Sequence, residues 1–273
     1  MRRPARREIG WHVMARGCRR LELFQDSQDY LNFLNILRYA LEASGCILWA
    51  YTLMSNHYHL VVYASSEALT ACMRRLNRMY SSYHNKRYSH SGHAFDGPYL
   101  AYPQRSLLVL LRTIVYVLLN PVAAGWKGAL EDYPWTSYRS YMGLPGAALP
   151  VDVQDAMRRV NSDPKVAWDV FWRAMEREAN RRSIKPLKKP SMADIHSEQF
   201  DWLLEHAREH RSEFKDLRAT VVAMHWGRQC GIAPRAMARV LKEPNTGRIR
   251  WQLNDLSRRL KADPSLEDRI RLP

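Results

Sequence analysis

Two histidines one residue apart carry the sharpest chemical signal in the sequence: His57 and His59, in Ser55-Asn56-His57-Tyr58-His59-Leu60-Val61-Val62. Strand side chains alternate faces, so both imidazoles project to one side, about 7 Å apart along the chain. Tyr58, Leu60 and Val62 then point to the opposite, core face. Paired imidazoles suit a divalent metal; two hydrogen-bonded histidines on a half-solvated strand fit the same spacing. The second signal is Tyr116-Val-Leu-Leu-Asn120-Pro-Val. On a helix, positions i and i+4 stand one above the other, here a phenol and an amide carbonyl. A core tyrosine followed by a C-capping asparagine reads equally well from that piece alone.

Together the two signals describe one site. His57, His59 and the Asn120 amide make three protein ligands with open positions, which Mg²⁺ or Mn²⁺ bound to phosphate oxygens completes. Such a cation polarises a scissile phosphate, and Tyr116 attacks the phosphorus to form a covalent phosphotyrosine. A phenol, with its ordinary pKa of about 10, needs metal or positive charge to stabilise the phenolate. Tyr80 and Tyr83 are rival nucleophiles in an Arg-rich context, but neither has an amide at the right offset. His84, His90 and His93 could join the pair in a zinc cluster, although no cysteine supports them.

The elements that must position these residues follow from periodicity. Ile9–Ala15 reads as a strand and Tyr30–Ala43 as a helix capped by Asp26 or Ser27 and ended by Gly45. Ile47–Leu53 and Tyr58–Tyr63 form a hairpin about Met54-Ser55-Asn56. A second helix spans roughly Leu69–Tyr83, a polar loop His84–Pro98, a short strand Tyr99–Tyr102, and a third helix Leu107–Leu119 capped by Ser106. The order β-α-β-β-α-β plus one helix is the split βαβ, ferredoxin-like plan, an α+β fold with one sheet face free for a site. Beyond Gly143-Leu-Pro-Gly146 the pattern is helical. The division reads 1–146 for the catalytic domain, 147–190 for a helical extension ending in the basic linker Lys185–Pro190, and 191–273 for an all-α region. In the last, Ala219–Cys230, a Gly231-Ile-Ala-Pro234 turn and Arg235–Lys242 suggest a helix-turn-helix, followed by Arg248–Lys261.

Charge fits a polyanion partner. The 273 residues hold 42 Lys+Arg against 27 Asp+Glu, a formal charge of +15, and nucleic acid is the first reading of such an excess. No apolar run reaches the roughly 18–20 residues of a membrane span, and the basic N-terminus lacks the apolar stretch of a secretory signal. Cys18, Cys46, Cys72 and Cys230 are scattered, as reduced thiols of a cytoplasmic, nucleoid-associated protein are.

The residues as a set resemble the REP-associated tyrosine transposases, within the single-tyrosine HUH (His-hydrophobic-His) transposases. The carriers are His12-Val13, Arg16-Gly17, Leu23-Phe24, Asp29-Tyr30, Met54 through Val62, Gly92-His93-Ala94-Phe95, Tyr116 through Asn120-Pro121-Val122 to Gly125, and Tyr133-Pro-Trp-Thr-Ser-Tyr138. The resemblance covers roughly residues 8–143. It implies an HUH endonuclease fold with His57 and His59 as metal ligands, Asn120 as third ligand and Tyr116 as nucleophile. It implies metal-dependent cleavage and rejoining of single-stranded DNA beside a hairpin or palindromic repeat, leaving a 5′-phosphotyrosine and a free 3′-OH, in DNA transposition, by a monomer or homodimer. The chain departs from the pattern at Ala123 and Pro98, where relatives tend to carry arginines, and at Asp96, which adds a negative charge.

Arg74, Arg75, Arg78, Lys86, Arg87, Arg105 and Arg112 flank the site in sequence and are its expected phosphate contacts, a basic solvated face being the alternative. Trp135 and Tyr138 could stack on unpaired bases, although core packing suits Trp135 better. In the C-terminal part, Arg235 and Arg239 share a helix face that could enter the major groove of duplex DNA; Arg228, Arg248, Arg250, Arg258, Arg259 and Lys261 add charge there. The competing function class is a non-catalytic, domesticated DNA-binding protein or repressor. A ferredoxin-like RNA-binding module ranks lower, because the stacking aromatics of such modules are missing.

Overall fold

The computed structural model describes residues 8–182, 184, 200, 204, 207, 208, 217–229, 232 and 234–263. The expected linker Lys185–Pro190, most of 191–216, Cys230 and most of the turn at 231–233 lie outside the described residues. The chain divides into two units: residues 1–138 with 146–188, and residues 139–145 with 189–273.

In the first unit, β1 (Ile9–Arg16), β2 (Ile47–Met54), β3 (His57–Ala64) and β4 (Leu100–Gln104) form one sheet in the order β2-β3-β1-β4. Every neighbouring pair is antiparallel. Helix α1 (Ser27–Glu42) joins β1 to β2, and α2 (Ser66–Tyr88) joins β3 to β4. This is the expected βαββαβ plan, a mixed α+β fold of the ferredoxin-like kind. Alternation divides the sheet: Val13, Ala15, Leu53, Tyr58, Leu60 and Val62 face the core made with Phe33 and Leu37 of α1 and Cys72, Leu76 and Tyr80 of α2. The other face receives α3 (Leu107–Leu118), the turn α4 (Asn120–Ala123) and the pair α6 (Val153–Val160) and α7 (Pro164–Arg181); the short helix α5 (Tyr138–Met142), which precedes that pair in sequence, falls mostly in the second unit.

Three local results differ from the sequence reading. First, α2 runs on through His84–Tyr88, where a loop was expected. Its last turns are anchored: the buried Asp29 carboxylate accepts hydrogen bonds from Tyr83 Oη (2.9 Å), Tyr88 Oη (2.6 Å), Arg87 Nη1 (2.7 Å) and the Gln25 N–H (2.8 Å). A buried carboxylate needs that number of donors, and supplying them extends the helix. Second, α3 stops at Leu118, and Asn120 opens α4 instead of capping α3. Pro121 has no N–H for the Val117 carbonyl, and that carbonyl accepts Thr52 Oγ1 of β2 at 2.7 Å. Third, the extension expected as a separate segment belongs largely to the first unit. Trp49 Nε1 donates to Asp155 Oδ2 at 2.9 Å, and Arg159 lies 4.2 Å over the Tyr63 ring.

The segment Tyr133–Ser137 lies along the outer edge of β2. Leu53 N–H bonds the Trp135 carbonyl at 2.8 Å, Ser137 N–H bonds the Tyr51 carbonyl at 3.0 Å, and Thr52 bridges Thr136. It occupies ladder groups that an edge strand otherwise exposes.

The second unit contains α8 (Ala219–Gln229), α9 (Pro234–Val240) and α10 (Thr246–Ala262). Val222, Met224, Met237, Ile249, Leu253 and Leu256 are in its core. No helix among the described residues is long and apolar enough to cross a membrane.

Candidate active site

The start of the HxH strand is held by the other motif residues. Ser55 O accepts the Leu23 N–H (2.7 Å) and the Phe24 N–H (3.0 Å), and Asn56 O accepts the Gly17 N–H (2.8 Å). Gly17 also bridges Phe95, and Arg16 O accepts the Asp96 N–H at 2.8 Å. Gly17 cannot carry a side chain: a Cβ there would sit 2.2 Å from Leu21 O. Arg16-Gly17, Leu23-Phe24, Met54-Ser55-Asn56 and the Phe95 loop are thus one interlocked support for His57.

The register sets the face. His57 pairs with Arg16 of β1 and Met54 of β2, His59 with Met14 and Thr52, and His12 with Val61 and with Tyr102 of β4. Directly paired residues share a face, so His12, His57 and His59 all project away from α1 and α2. His57 and His59 lie with ring centres 5.2 Å apart, and His12 stacks on His59, also at 5.2 Å. His57 Nδ1 is 2.7 Å from Asn56 Oδ1, and His59 Nδ1 is 3.0 Å from His12 Nε2.

Burial favours the neutral form of these rings. His59, 2% exposed, is pushed down to about 3 by desolvation first, then by repulsion from His12, His57 and Arg16. Desolvation lowers His57, with Arg16 adding to it, and lowers His12. A neutral imidazole that donates its Nδ1–H to such a partner has its Nε2 lone pair left to ligate, which is how a metal-binding histidine is prepared. The donor set therefore fits a divalent cation on His57 and His59. Among the described residues no group of three or more His, Cys, Asp or Glu side chains is arranged to hold a metal.

Helix α3 brings Tyr116 to the same place. Its ring meets His59 edge-on at 5.4 Å and His12 at 6.0 Å, and the residue is 38% exposed. Asn120 is buried at the first position of α4. Tyr116 is also flanked by Arg182, whose guanidinium carbon lies 5.4 Å from the ring centre. His12 and Arg182 were both missed as site residues. The alternation of Gly10-Trp-His12-Val could have signalled His12, because its side chain alternates with core-facing Val13. Nothing local in the sequence points to Arg182.

The rival nucleophiles have structural tasks. Tyr80 is fully buried and donates to Leu23 O at 2.5 Å, and Tyr83 serves Asp29. His84 is buried with both ring nitrogens unpaired and stacks near His90 at 6.0 Å. Trp135 stacks on Tyr30 at 4.4 Å, and Tyr138 is buried.

The expected DNA contacts separate into groups. Arg74, Arg75, Arg78, Lys86 and Arg87 all lie on α2, which packs on the sheet face opposite the histidines. Proximity in sequence therefore does not bring them to the histidine face, because a strand's two faces are only one residue apart. Arg87 is engaged by Asp26 and Asp29, and Arg75 donates to Ser44 Oγ at 3.1 Å. Arg78 lines a cleft of about 560 Å³ with Asn77, Ser81, His93, Phe95, Gly97 and Pro98. Arg105 and Arg112 are exposed, and Arg112 stands one helical turn before Tyr116 on α3. In the second unit Arg235, Arg239, Arg248, Arg250, Arg258 and Arg259 are exposed. Arg248 pairs with Glu243 and Arg258 with Asp255. The side chains of Arg228 and Lys261 lie outside the described residues.

Residues 6–103 match the family described as "Transposase IS200 like". A solved structure described as the REP-associated tyrosine transposase bound to a REP hairpin is similar over 56% of this chain and 92% of that one, at 14% identity and a TM-score of 0.43. A candidate transposase from Deinococcus radiodurans R1 is similar over 37% of this chain and 83% of that one, at 19% identity and a TM-score of 0.31. No curated protein matches the chain.

Proposed function

We propose that this chain, whose residues 6–103 carry the IS200-like transposase match, is a metal-dependent single-stranded DNA endonuclease and strand transferase with Tyr116 as nucleophile. The observation that supports it most directly is the meeting of Tyr116 with His59 at 5.4 Å. These residues come from separate elements and are 57 positions apart in sequence.

His57 and His59 would hold Mg²⁺ or Mn²⁺ through Nε2, with Asn120 as the further ligand that the resemblance implies. When bound, the ion supplies Lewis-acid polarisation of the scissile phosphate. The chain's own residues do the rest. Tyr116 gives up its phenolic proton and forms an O–P bond, while the bond from phosphorus to the 3′ oxygen breaks. The 5′ side stays on the tyrosine as a phosphodiester, and the departing oxygen takes a proton to become a free 3′-OH. The reverse attack, by another 3′-OH, rejoins the strand and restores Tyr116. His12 and Asn56, as acceptors from Nδ1, would keep the two imidazoles in the tautomer that leaves Nε2 free. Arg112 is suited to a phosphate near Tyr116.

The substrate class is single-stranded DNA beside a hairpin or palindromic repeat, as the sequence resemblance implies. The exposed arginines of the second unit would hold adjoining duplex. The decisive experiment incubates the protein with Mg²⁺ or Mn²⁺ and labelled hairpin-bearing strands. A covalent protein–DNA adduct is expected from wild type and none from Tyr116→Phe. An undiminished adduct in Tyr116→Phe removes the mechanism. Duplex binding without cleavage under either metal favours the repressor reading.

A further inference from the structure

Tyr116 is partly exposed at the end of a helix, where a side chain ordinarily samples several rotamers. A nucleophile in that setting loses rate unless something fixes it. His59 and His12 meet its ring edge-on, and Arg182 supplies a third contact, from an element that neither histidine strand touches in sequence. Arg182 is the first residue beyond α7, where its N–H bonds the Glu178 and Ala179 carbonyls at 3.1 Å each. Its side chain is only 14% exposed. Nε donates to Glu178 Oε1 at 2.6 Å, and Nη1 donates to Leu119 O, in the turn between α3 and α4, at 3.3 Å. The guanidinium is therefore tied at two edges, to α7 and to the turn that follows the helix carrying Tyr116. A planar cation held this way against an aromatic ring is a stiff, directional contact.

We propose that Arg182 is a positioning residue for Tyr116: anchored by Glu178 and Leu119 O, its guanidinium holds the phenol ring in one rotamer against His12 and His59. The inference rests on Tyr116 being the nucleophile. It extends the catalytic unit to residue 182, well past the matched residues 6–103. A chain ending at residue 146 would keep His57, His59, Tyr116 and Asn120 but lose this clamp.

The test uses the full chain with 3-fluorotyrosine at position 116, observed by ¹⁹F NMR, and a second label at the exposed Tyr39 as control. Wild type should give one sharp resonance for position 116. Arg182→Gln should broaden, split or shift that resonance and leave the control unchanged, while Arg182→Lys recovers part of the wild-type signal. In single-turnover assays Arg182→Gln should slow adduct formation by about tenfold or more, with single-strand affinity within about twofold of wild type. An unchanged position-116 resonance in Arg182→Gln overturns the proposal. So does a general loss in which the control resonance and melting temperature change as well. If wild type forms no adduct through Tyr116, the nucleophile reading fails by itself, and the NMR comparison still decides whether Arg182 fixes the ring.

Discussion

His12 Nε2 lies 3.0 Å from His59 Nδ1, and this contact determines what His59 can do. For His59 to offer its Nε2 lone pair, its Nδ1 must carry the proton and donate it to His12. In that role His12 would be the acceptor that sets the tautomer of its neighbour, as Asn56 Oδ1 would be for His57 at 2.7 Å. The site is a pair of candidate ligands, each with its own orienting partner.

Replacing His12 by Ala should therefore weaken the metal without removing a ligand. Mn²⁺ affinity, followed by calorimetry or by the Mn²⁺ paramagnetic resonance signal, is expected to fall about 10- to 100-fold. Excess Mn²⁺ should restore part of the adduct yield. Wild-type Mn²⁺ affinity in His12→Ala would show that the contact has no such role.

Acid should destabilise the fold through His59. Its folded value, about 3, lies below the ordinary 6.5, so the unfolded chain takes up a proton that the folded chain refuses. The stability tied to this group is complete above about pH 6.5 and declines as pH falls toward 3. Melting temperature should fall between pH 6.5 and 4, and His59→Asn, measured over the same range, should fall less steeply. Parallel curves for the two proteins would contradict the assignment.

Asp29→Asn should cost about 3 kcal/mol of unfolding free energy. The carboxylate gathers Tyr83, Tyr88, Arg87 and the Gln25 N–H, and the amide cannot accept all four. Urea unfolding measures the loss. Because α2 lies on the opposite face of the sheet from Tyr116, adduct formation by the folded variant should stay near wild type at low temperature.

Arg235 and Arg239, exposed on α9, should contribute to duplex binding. The double Gln variant is expected to reduce the slope of log affinity against log salt by about 2. Titrating labelled duplex at several salt concentrations reads it directly. An unchanged slope would leave the second unit as a helical bundle with no phosphate contact at these positions.

The local motifs were legible because their physics is local. Period-2 alternation placed His57 and His59 on one face, and the β-α-β-β-α-β order of apolar patterns required the split βαβ sheet. Tyr116 was picked out by its spacing to Asn120, although Pro121 ends α3 early and leaves Asn120 on a separate turn. The place of the α2 arginines was not legible for an equally physical reason: chain proximity does not say which face of a sheet a helix covers. Long-range packing decided the rest. Strand register put His12 beside His59, residues 47 positions apart. The packing of α7 on α3 brought Arg182 to Tyr116, and the buried charge of Asp29 drew out the last turns of α2. A sequence specifies such contacts only through the whole core, because each depends on where two distant elements come to rest.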